Sequence, residues 1–169
     1  ISAFTAQGVP GRKVQRESRI GKPIGLAVDR QGNLIVSEAD SPVLKLIDRK
    51  GEVTSIEVPA REREKAVQPG RLALDRDGNL YLVDRANGRI VVLDKERKVK
   101  LRIGSRGSKR GQFASLQDVA VDRGGRVFAL DSTGHPVQVF DRKGRYLYRF
   151  GYRGGGHEDI SIPAAIFMD

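Results

Sequence analysis

Residues 69–94 read PGRLALDRDGNLYLVDRANGRIVVLD, and this pattern decides the fold because the chain repeats it. It recurs without a gap at residues 23–48 and 116–141, and a shorter copy, PAAIFMD, occupies residues 163–169. The repeat length is about 47 residues, which predicts a row of similar structural units. The columns that agree best are Asp29, Asp75, Asp122 and Asp169; Gly32, Gly78 and Gly125; Glu38, Asp84 and Asp131; Asp48, Asp94 and Asp141.

Each unit is predicted to be a meander of four short antiparallel strands, here called a blade. In the middle unit, β-branched and large apolar residues place the strands at 71–74, 80–83, 89–93 and 99–103. Between the first two strands, Asp75 is expected to accept hydrogen bonds from backbone amides, while Gly78 takes a positive φ. A blade with apolar residues on both faces must stack against its neighbours. The sequence therefore predicts an all-β fold of stacked blades.

The middle unit resembles the NHL repeat. The residues that carry the resemblance are Pro69, Asp75, Gly78, Asn79, Asp84, Asn87, Arg89, Ile90 and Asp94. The other two units depart from it at the column of Arg89, where they have Val43 and Pro136. The resemblance implies a β-propeller of NHL type with three complete four-stranded blades and the first strand of a fourth. It does not imply one chemistry, since propellers serve binding modules, sensors and lyases alike.

The predicted domain organisation follows the repeat. Residues 1–22 are expected to hold a strand, within residues 1–6, and a connector from a preceding blade. Blades 1, 2 and 3 are then 23–68, 69–115 and 116–162, and the first strand of blade 4 is 163–169. Because propellers usually close with four to eight blades, this partial ring has two explanations. It is a fragment of a longer propeller, with six blades as the expected total, or two or more copies close the ring together.

Composition is typical of a folded, turn-rich protein, with 38% hydrophobic and 31% charged residues and 20 Gly. No apolar stretch is long enough for a membrane span, so no membrane insertion is expected. The absence of Cys excludes disulfides and thiolate metal sites. Since the chain begins at Ile1, either a leader has been removed or the sequence is an excised piece. The resemblance to exported bacterial NHL proteins implies an extracytoplasmic location, periplasmic or secreted.

The candidate binding residues lie on the face that carries the loops between second and third strands. They are Glu38, Asp84, Arg85, Asn87, Asp131 and His135. The chain has no Gly-x-Ser-x-Gly motif, and its two histidines lack metal-ligand spacing, so no catalytic residue, metal site or cofactor is predicted. The leading interpretation is a non-catalytic propeller that acts as a scaffold or binding module for a protein or peptide partner or another ligand. The aspartates of the Asp-x-x-Gly columns recur at the same turn of each unit. This regular spacing indicates that they cap turns and do not take part in acid–base or metal chemistry.

The net charge of +10 supports a second interpretation, an RNA-binding or other polyanion-binding propeller with a nucleic acid or acidic polymer as partner. Its candidate residues are Lys98, Lys100, Arg102, Arg106, Lys109 and Arg110. Both loop faces of the predicted propeller carry cations and acids, and Tyr146, Tyr148 and Tyr152 form the one aromatic stretch near arginines. A third interpretation is a fragment of a metal-dependent, lyase-like propeller whose remaining ligands lie in other blades.

Overall fold

The computed structural model describes residues 2–4, 10–13, 20–133, 136–151 and 165–166, and all regular elements in these ranges are strands. In chain order they are β1 (Ser2–Phe4), β2 (Pro10–Lys13), β3 (Pro23–Val28), β4 (Leu34–Glu38), β5 (Leu44–Ile47), β6 (Val53–Ile56), β7 (Pro69–Leu74), β8 (Leu80–Asp84), β9 (Arg89–Leu93), β10 (Val99–Ile103), β11 (Ser105–Arg106), β12 (Gln112–Phe113), β13 (Leu116–Val121), β14 (Val127–Asp131), β15 (Val137–Phe140) and β16 (Tyr146–Phe150). Within the same ranges, no helix could cross a membrane.

Three four-stranded antiparallel sheets form the blades. Blade 1 is β3 to β6, blade 2 is β7 to β10 and blade 3 is β13 to β16, and each strand pairs with the next one in sequence. In blade 2, Leu72 lies opposite Leu82, which lies opposite Val91. The innermost strands β3, β7 and β13 are neighbours in space, so the sheets stack with these strands on one side. The predicted all-β fold of stacked blades is confirmed.

The tight turns show why the Asp-x-x-Gly columns recur. Asp75 Oδ1 accepts hydrogen bonds of 2.9 Å from the Asp77 and Asn79 amides, and Gly78 has a φ of 81°. Amides two or four residues further along the chain make equivalent bonds to Asp29, Asp48, Asp94, Asp122 and Asp141. The predicted turn-capping role of these aspartates is therefore confirmed.

The turn after β9 departs from this pattern. Arg97 has a φ of 65° at the position where blades 1 and 3 have glycine, so a residue with a Cβ occupies left-handed backbone. Its Nη1 donates a 3.1 Å hydrogen bond to the carbonyl of Gly78, and its Nη2 lies 3.8 Å from Asp29 Oδ2 of blade 1. The contact with Asp29 joins blade 2 to blade 1, and the contact with Gly78 joins the two tight turns of blade 2.

Two apolar cores lie between the blades, because side chains alternate between the two faces of each sheet. Between blades 1 and 2, the buried residues are Ile35, Leu44, Ile56, Val58, Val67, Leu80, Leu82, Val91 and Leu93. Between blades 2 and 3, they are Tyr81, Val83, Ile90, Val92, Ile103, Phe113, Leu116, Val119, Val127, Ala129 and Phe140. Every residue of β8 and β9 in blade 2 is buried, and so is every residue of β14 and β15 in blade 3.

Two features were not predicted. β1 pairs with a second strand, β2, whose sequence PGRK has no β-branched or aromatic residue to indicate it. In the connector between blades 2 and 3, β11 and β12 form a short parallel pair. The predicted first strand of blade 4 lies mostly outside the described residues, but Ile166 packs against the far side of blade 3.

Candidate functional site

The alternation of strand direction sorts the loops of the blades onto two faces. One face, here called the connector face, carries the blade-to-blade connectors (57–68 and 104–115) and the loops between second and third strands (39–43, 85–88 and 132–136). The other, here called the turn face, carries the Asp-capped tight turns. Five of the six predicted binding residues lie on the connector face, and the sixth, His135, is outside the described residues.

The three predicted carboxylates are buried and bind backbone. The Gly21 amide donates to Glu38, the Gln68 amide donates to Asp84 at 3.3 Å, and the Ala114 and Ser115 amides donate to Asp131 at 2.8 and 3.1 Å. Each carboxylate thus ties the end of a second strand to the segment that enters the same blade. All three are 5% exposed or less, so their direct role is to hold the connector face in shape.

Burial acts to raise the pKa of Glu38, but hydrogen bonds from Lys45 and from the Gly21 amide outweigh it. The pKa of Glu38 is therefore lowered, and this side chain is ionised at neutral pH. Its Oε2 lies 2.8 Å from Lys45 Nζ. An ionised, ion-paired carboxylate is a poor general acid.

A buried arginine organises the connector of blade 2. Arg89 Nε donates to Asp84 Oδ2 at 3.1 Å, and its two Nη atoms form a bidentate pair with Glu64 at 2.5 and 2.8 Å. The hydrogen bond from Arg89 lowers the pKa of Glu64 to about 2. The pattern of the middle repeat singled out Arg89, but Glu64 lies in an irregular connector that no repeat column identifies.

Two neighbouring arginines are held in place without being neutralised. Arg85 Nη2 donates to the Ala39 carbonyl at 3.1 Å, and Arg106 Nη2 donates to the Arg85 carbonyl at 2.9 Å. Among the described residues, neither guanidinium pairs with a carboxylate. Asn87, in the same loop as Arg85, fixes that loop to its surroundings, because its Nδ2 donates to Asp84 and to the Lys65 carbonyl. The result is an exposed, positively charged edge with a defined geometry.

A cavity of about 300 Å³ lies beside Asp131 on the same face. Its lining includes Lys109 and Arg149, and within the described part of the chain neither cationic side chain has a hydrogen-bond or ion-pair partner. Gln138 holds the wall of the cavity, since its Oε1 accepts from Gly111 N at 2.9 Å and its Nε2 donates to Gln112 O at 2.6 Å. The cavity can therefore accommodate an anionic group. Arg149 and Gln138 were missed because they lie within strands.

The structure does not bring the six predicted polyanion residues together. Lys98 is in a tight turn of the turn face, and Lys100 Nζ donates to Asn79 Oδ1 at 3.3 Å. Arg102 is half-buried and donates to the Pro59 carbonyl at 2.7 Å. Burial and the nearby guanidinium groups of Arg89 and Arg61 lower its pKa. The three remaining cations, Arg106, Lys109 and Arg110, lie on the connector face, so strand β10 divides the set.

A second cavity, of about 500 Å³, is lined by the innermost strands of the three blades. Asp118 is buried at its wall, where it accepts hydrogen bonds from the Val119 and Ile166 amides. Burial raises the pKa of Asp118 despite these bonds. Within the described ranges, no group of three His, Cys, Asp or Glu residues lies close enough to hold a metal ion.

The fold is similar to those of solved β-propeller proteins. A streptogramin B lyase structure matches with a TM-score of 0.67 and 15% identity, over 86% of this chain and 44% of that chain. A catalytically inactive virginiamycin B lyase from Staphylococcus aureus, solved with quinupristin, matches with a TM-score of 0.66 and 14% identity, over 96% of this chain and 49% of that chain. Kuenenia stuttgartiensis hydrazine synthase matches with a TM-score of 0.60 and 16% identity, over 89% of this chain and 41% of that chain.

These similarities establish the β-propeller fold and, at such low identity, the fold alone. The chain spans less than half the length of each of these three structures. No protein-family profile matches the sequence, and no curated protein matches it.

Proposed function

We propose that this chain is part of an NHL-type β-propeller and acts as a non-catalytic module that binds a partner protein through its connector face. The observation that carries the proposal is the pair of fixed, uncompensated cations, Arg85 and Arg106. Backbone carbonyls orient both guanidinium groups, so less side-chain entropy is lost when they bind a ligand. The NHL type is supported by the columns of the middle repeat.

The chemistry of this face favours a partner segment with acidic side chains or a free terminal carboxylate. Arginine binds carboxylates with two parallel hydrogen bonds, which gives orientation as well as affinity. The cavity beside Asp131 adds Lys109 and Arg149 as further cations that such a segment can reach. The buried carboxylates Asp84 and Asp131 contribute indirectly, because they hold the loops that carry these cations.

An array of short acidic peptides with free carboxyl termini tests the proposal. The best-binding peptide is titrated against the wild-type chain and against the double variant Arg85→Ala/Arg106→Ala. We expect affinity to fall about 10-fold or more in this variant, the loss of two charge-assisted hydrogen-bonded contacts. The matched control is Arg76→Ala/Arg123→Ala, which removes two exposed cations from the turn face. Equal losses in both variants, or no peptide binding at all, would overturn the proposal.

Polyanion binding is the alternative function. The same wild-type chain and double variants are titrated with single-stranded RNA and with heparin to test it. It predicts an affinity that falls steeply with salt and depends on cations of both faces. Because β10 separates the cations of the predicted run, we expect these probes to bind more weakly than the best peptide. Tight RNA binding that both double variants weaken would replace the peptide proposal.

A lyase-like activity is supported only by the likeness to streptogramin B and virginiamycin B lyases. Incubation of the chain with quinupristin, followed by mass spectrometry, tests it directly, and any turnover would overturn a non-catalytic role.

We also propose an extracytoplasmic location, on the resemblance to exported NHL proteins. Fractionation of the cells that produce this protein checks it.

A further inference from the structure

The cavity of about 300 Å³ on the connector face is bounded by blade 3 and by the connector that enters this blade, residues 104–115. Arg149 on β16 lies opposite Gln138 on β15, so both side chains project from the same face of the sheet. Gln138 is buried, and it forms hydrogen bonds with the backbone of Gly111 and Gln112. This face of the sheet therefore points toward the connector, and the cavity lies inside the stack of blades and not at one of its ends.

In blade 2, a carboxylate of the chain itself lies in the corresponding position. Arg102 occupies the repeat column of Arg149, which lines the cavity. Glu64, from the connector that enters blade 2, forms the bidentate pair with Arg89. The hydrogen bond from Arg89 lowers the pKa of Glu64 to about 2, and the positive charge of Arg102 acts in the same direction. An acid of the connector thus compensates the cations of blade 2.

Blade 3 has neither partner of that pair. Pro136 occupies the column of Arg89, and the connector 104–115 contains no Asp or Glu. The connector 57–68, in contrast, has three acidic residues alongside three basic ones. Lys109 and Arg149 line the cavity, and within the described ranges neither side chain forms a hydrogen bond or an ion pair. The cationic wall of the cavity thus lacks the acid that its counterpart in blade 2 has.

Asp131 also lines the cavity, but other groups of the chain already bind its carboxylate. Like Asp84 in the same column of blade 2, it accepts hydrogen bonds from the segment that enters its blade. The Ala114 amide donates to Oδ2 at 2.8 Å, and the amide and hydroxyl of Thr133 donate to Oδ1 at 2.9 and 2.8 Å. These donors stabilise the negative charge of Asp131, so the two cations of the wall are left for a ligand.

We infer that the cavity binds a carboxylate group of a ligand through Lys109 and Arg149, in the position that Glu64 takes in blade 2. Both cations can give a carboxylate charge-assisted hydrogen bonds. A volume of about 300 Å³ is at the small end of the range for ligand pockets, and it suits one acidic side chain or one chain terminus. The inference rests on the proposed function only for the source of the carboxylate, which is the acidic segment of the partner protein.

Three small compounds test the cavity separately from any partner protein. N-acetylglutamate α-methylamide carries only a side-chain carboxylate, N-acetylglutamine carries only a terminal carboxylate, and N-acetylglutamine methylamide carries neither. We expect both acids to shift the amide resonances of Ser108, Lys109 and Thr133, which line the cavity, in heteronuclear NMR spectra of the full chain. The neutral compound should leave these resonances in place. The acid that binds more tightly identifies the source of the carboxylate.

The double variant Lys109→Gln/Arg149→Gln should weaken the binding of both acids at least about 10-fold, because it removes both cations. The two side chains are exposed, so the variant should fold. The matched control is Arg123→Gln/Lys143→Gln, which removes two exposed cations from the turn face of the same blade.

Equal losses in the two double variants, or acids that shift no cavity amide up to about 100 mM, would overturn the inference. This failure can be told apart from failure of the proposed function. If the peptide array yields a ligand but the acids do not bind the cavity, only the inference is wrong. If the acids bind the cavity but no peptide binds the chain, the proposed function is wrong and the carboxylate site stands.

Discussion

Replacing Asp84 with alanine tests whether the buried carboxylates hold the connector face together. The side chain of Asp84 is fully buried, and its Oδ2 accepts hydrogen bonds from Arg89 Nε at 3.1 Å and from Asn87 Nδ2 at 2.8 Å. Its Oδ1 accepts from the Gln68 amide. Asp84→Ala removes all of these acceptors at once, and the guanidinium of Arg89 keeps only Glu64 as its partner.

The expected cost follows from these contacts. Breaking a buried ion pair costs about 3–5 kcal/mol, and the lower end applies because Arg89 retains its bidentate pair with Glu64. The unpaired Gln68 amide adds about 1 kcal/mol, so the free energy of unfolding should fall by about 3–4 kcal/mol. With a urea m-value of about 2 kcal/mol/M, the unfolding midpoint should fall by about 1.5–2 M.

Urea unfolding followed by far-UV circular dichroism measures this change, since the chain has no Trp to report by fluorescence. The matched control is Asp77→Ala, whose 3.8 Å pair with Arg142 joins two side chains that are at least 60% exposed. We expect the control to cost less than about 0.5 kcal/mol. Equal effects of the two variants would refute the reasoning.

Two further predictions concern the connectors and turns. Arg97→Gly should be more stable than Arg97→Ala by about 1 kcal/mol in the same urea assay. Both variants lose the contacts to Gly78 and Asp29, but only glycine adopts the positive φ without strain. Equal stabilities of the two variants would show that the turn is not strained. Since the pKa of Glu64 is lowered from 4.5 to about 2, its pair with Arg89 should stabilise the fold above about pH 4.5 and lose that effect as the pH falls through about 2. The difference in unfolding midpoint between wild type and Glu64→Gln should therefore disappear toward acid pH, and a constant difference would contradict this assignment.

Much of the fold could be predicted because the repeat reports it several times. The strands of blade 2 begin and end within two residues of the predicted bounds, since each is bordered by an Asp-capped turn or a glycine. The hairpin partner β2 and the β11–β12 pair were missed because they lie outside the repeated columns. Short pairings of this kind depend on neighbouring segments and not on local propensity.

The candidate site was predicted less well, because a recurring position in the repeat does not reveal which atoms the side chain at that position contacts. Glu38, Asp84 and Asp131 lie on the expected face, but they are buried, and their oxygens bind backbone amides and neighbouring side chains of the same chain. The cations from Lys98 to Arg110 are close together in sequence. In the structure, strand β10 runs between the turn face and the connector face, so the two ends of this run lie on opposite faces. Contacts such as Arg89 with Glu64 join residues 25 positions apart, which no local pattern indicates.

In every blade, each strand pairs with the strand that follows it in sequence, which affects how easily the blade folds. Such pairing needs only short loops to close, so the entropy lost before the first native contacts form is small. We therefore expect the strands of a blade to pair early in folding, and the blade to become stable once it docks onto its neighbour and completes the apolar core between them.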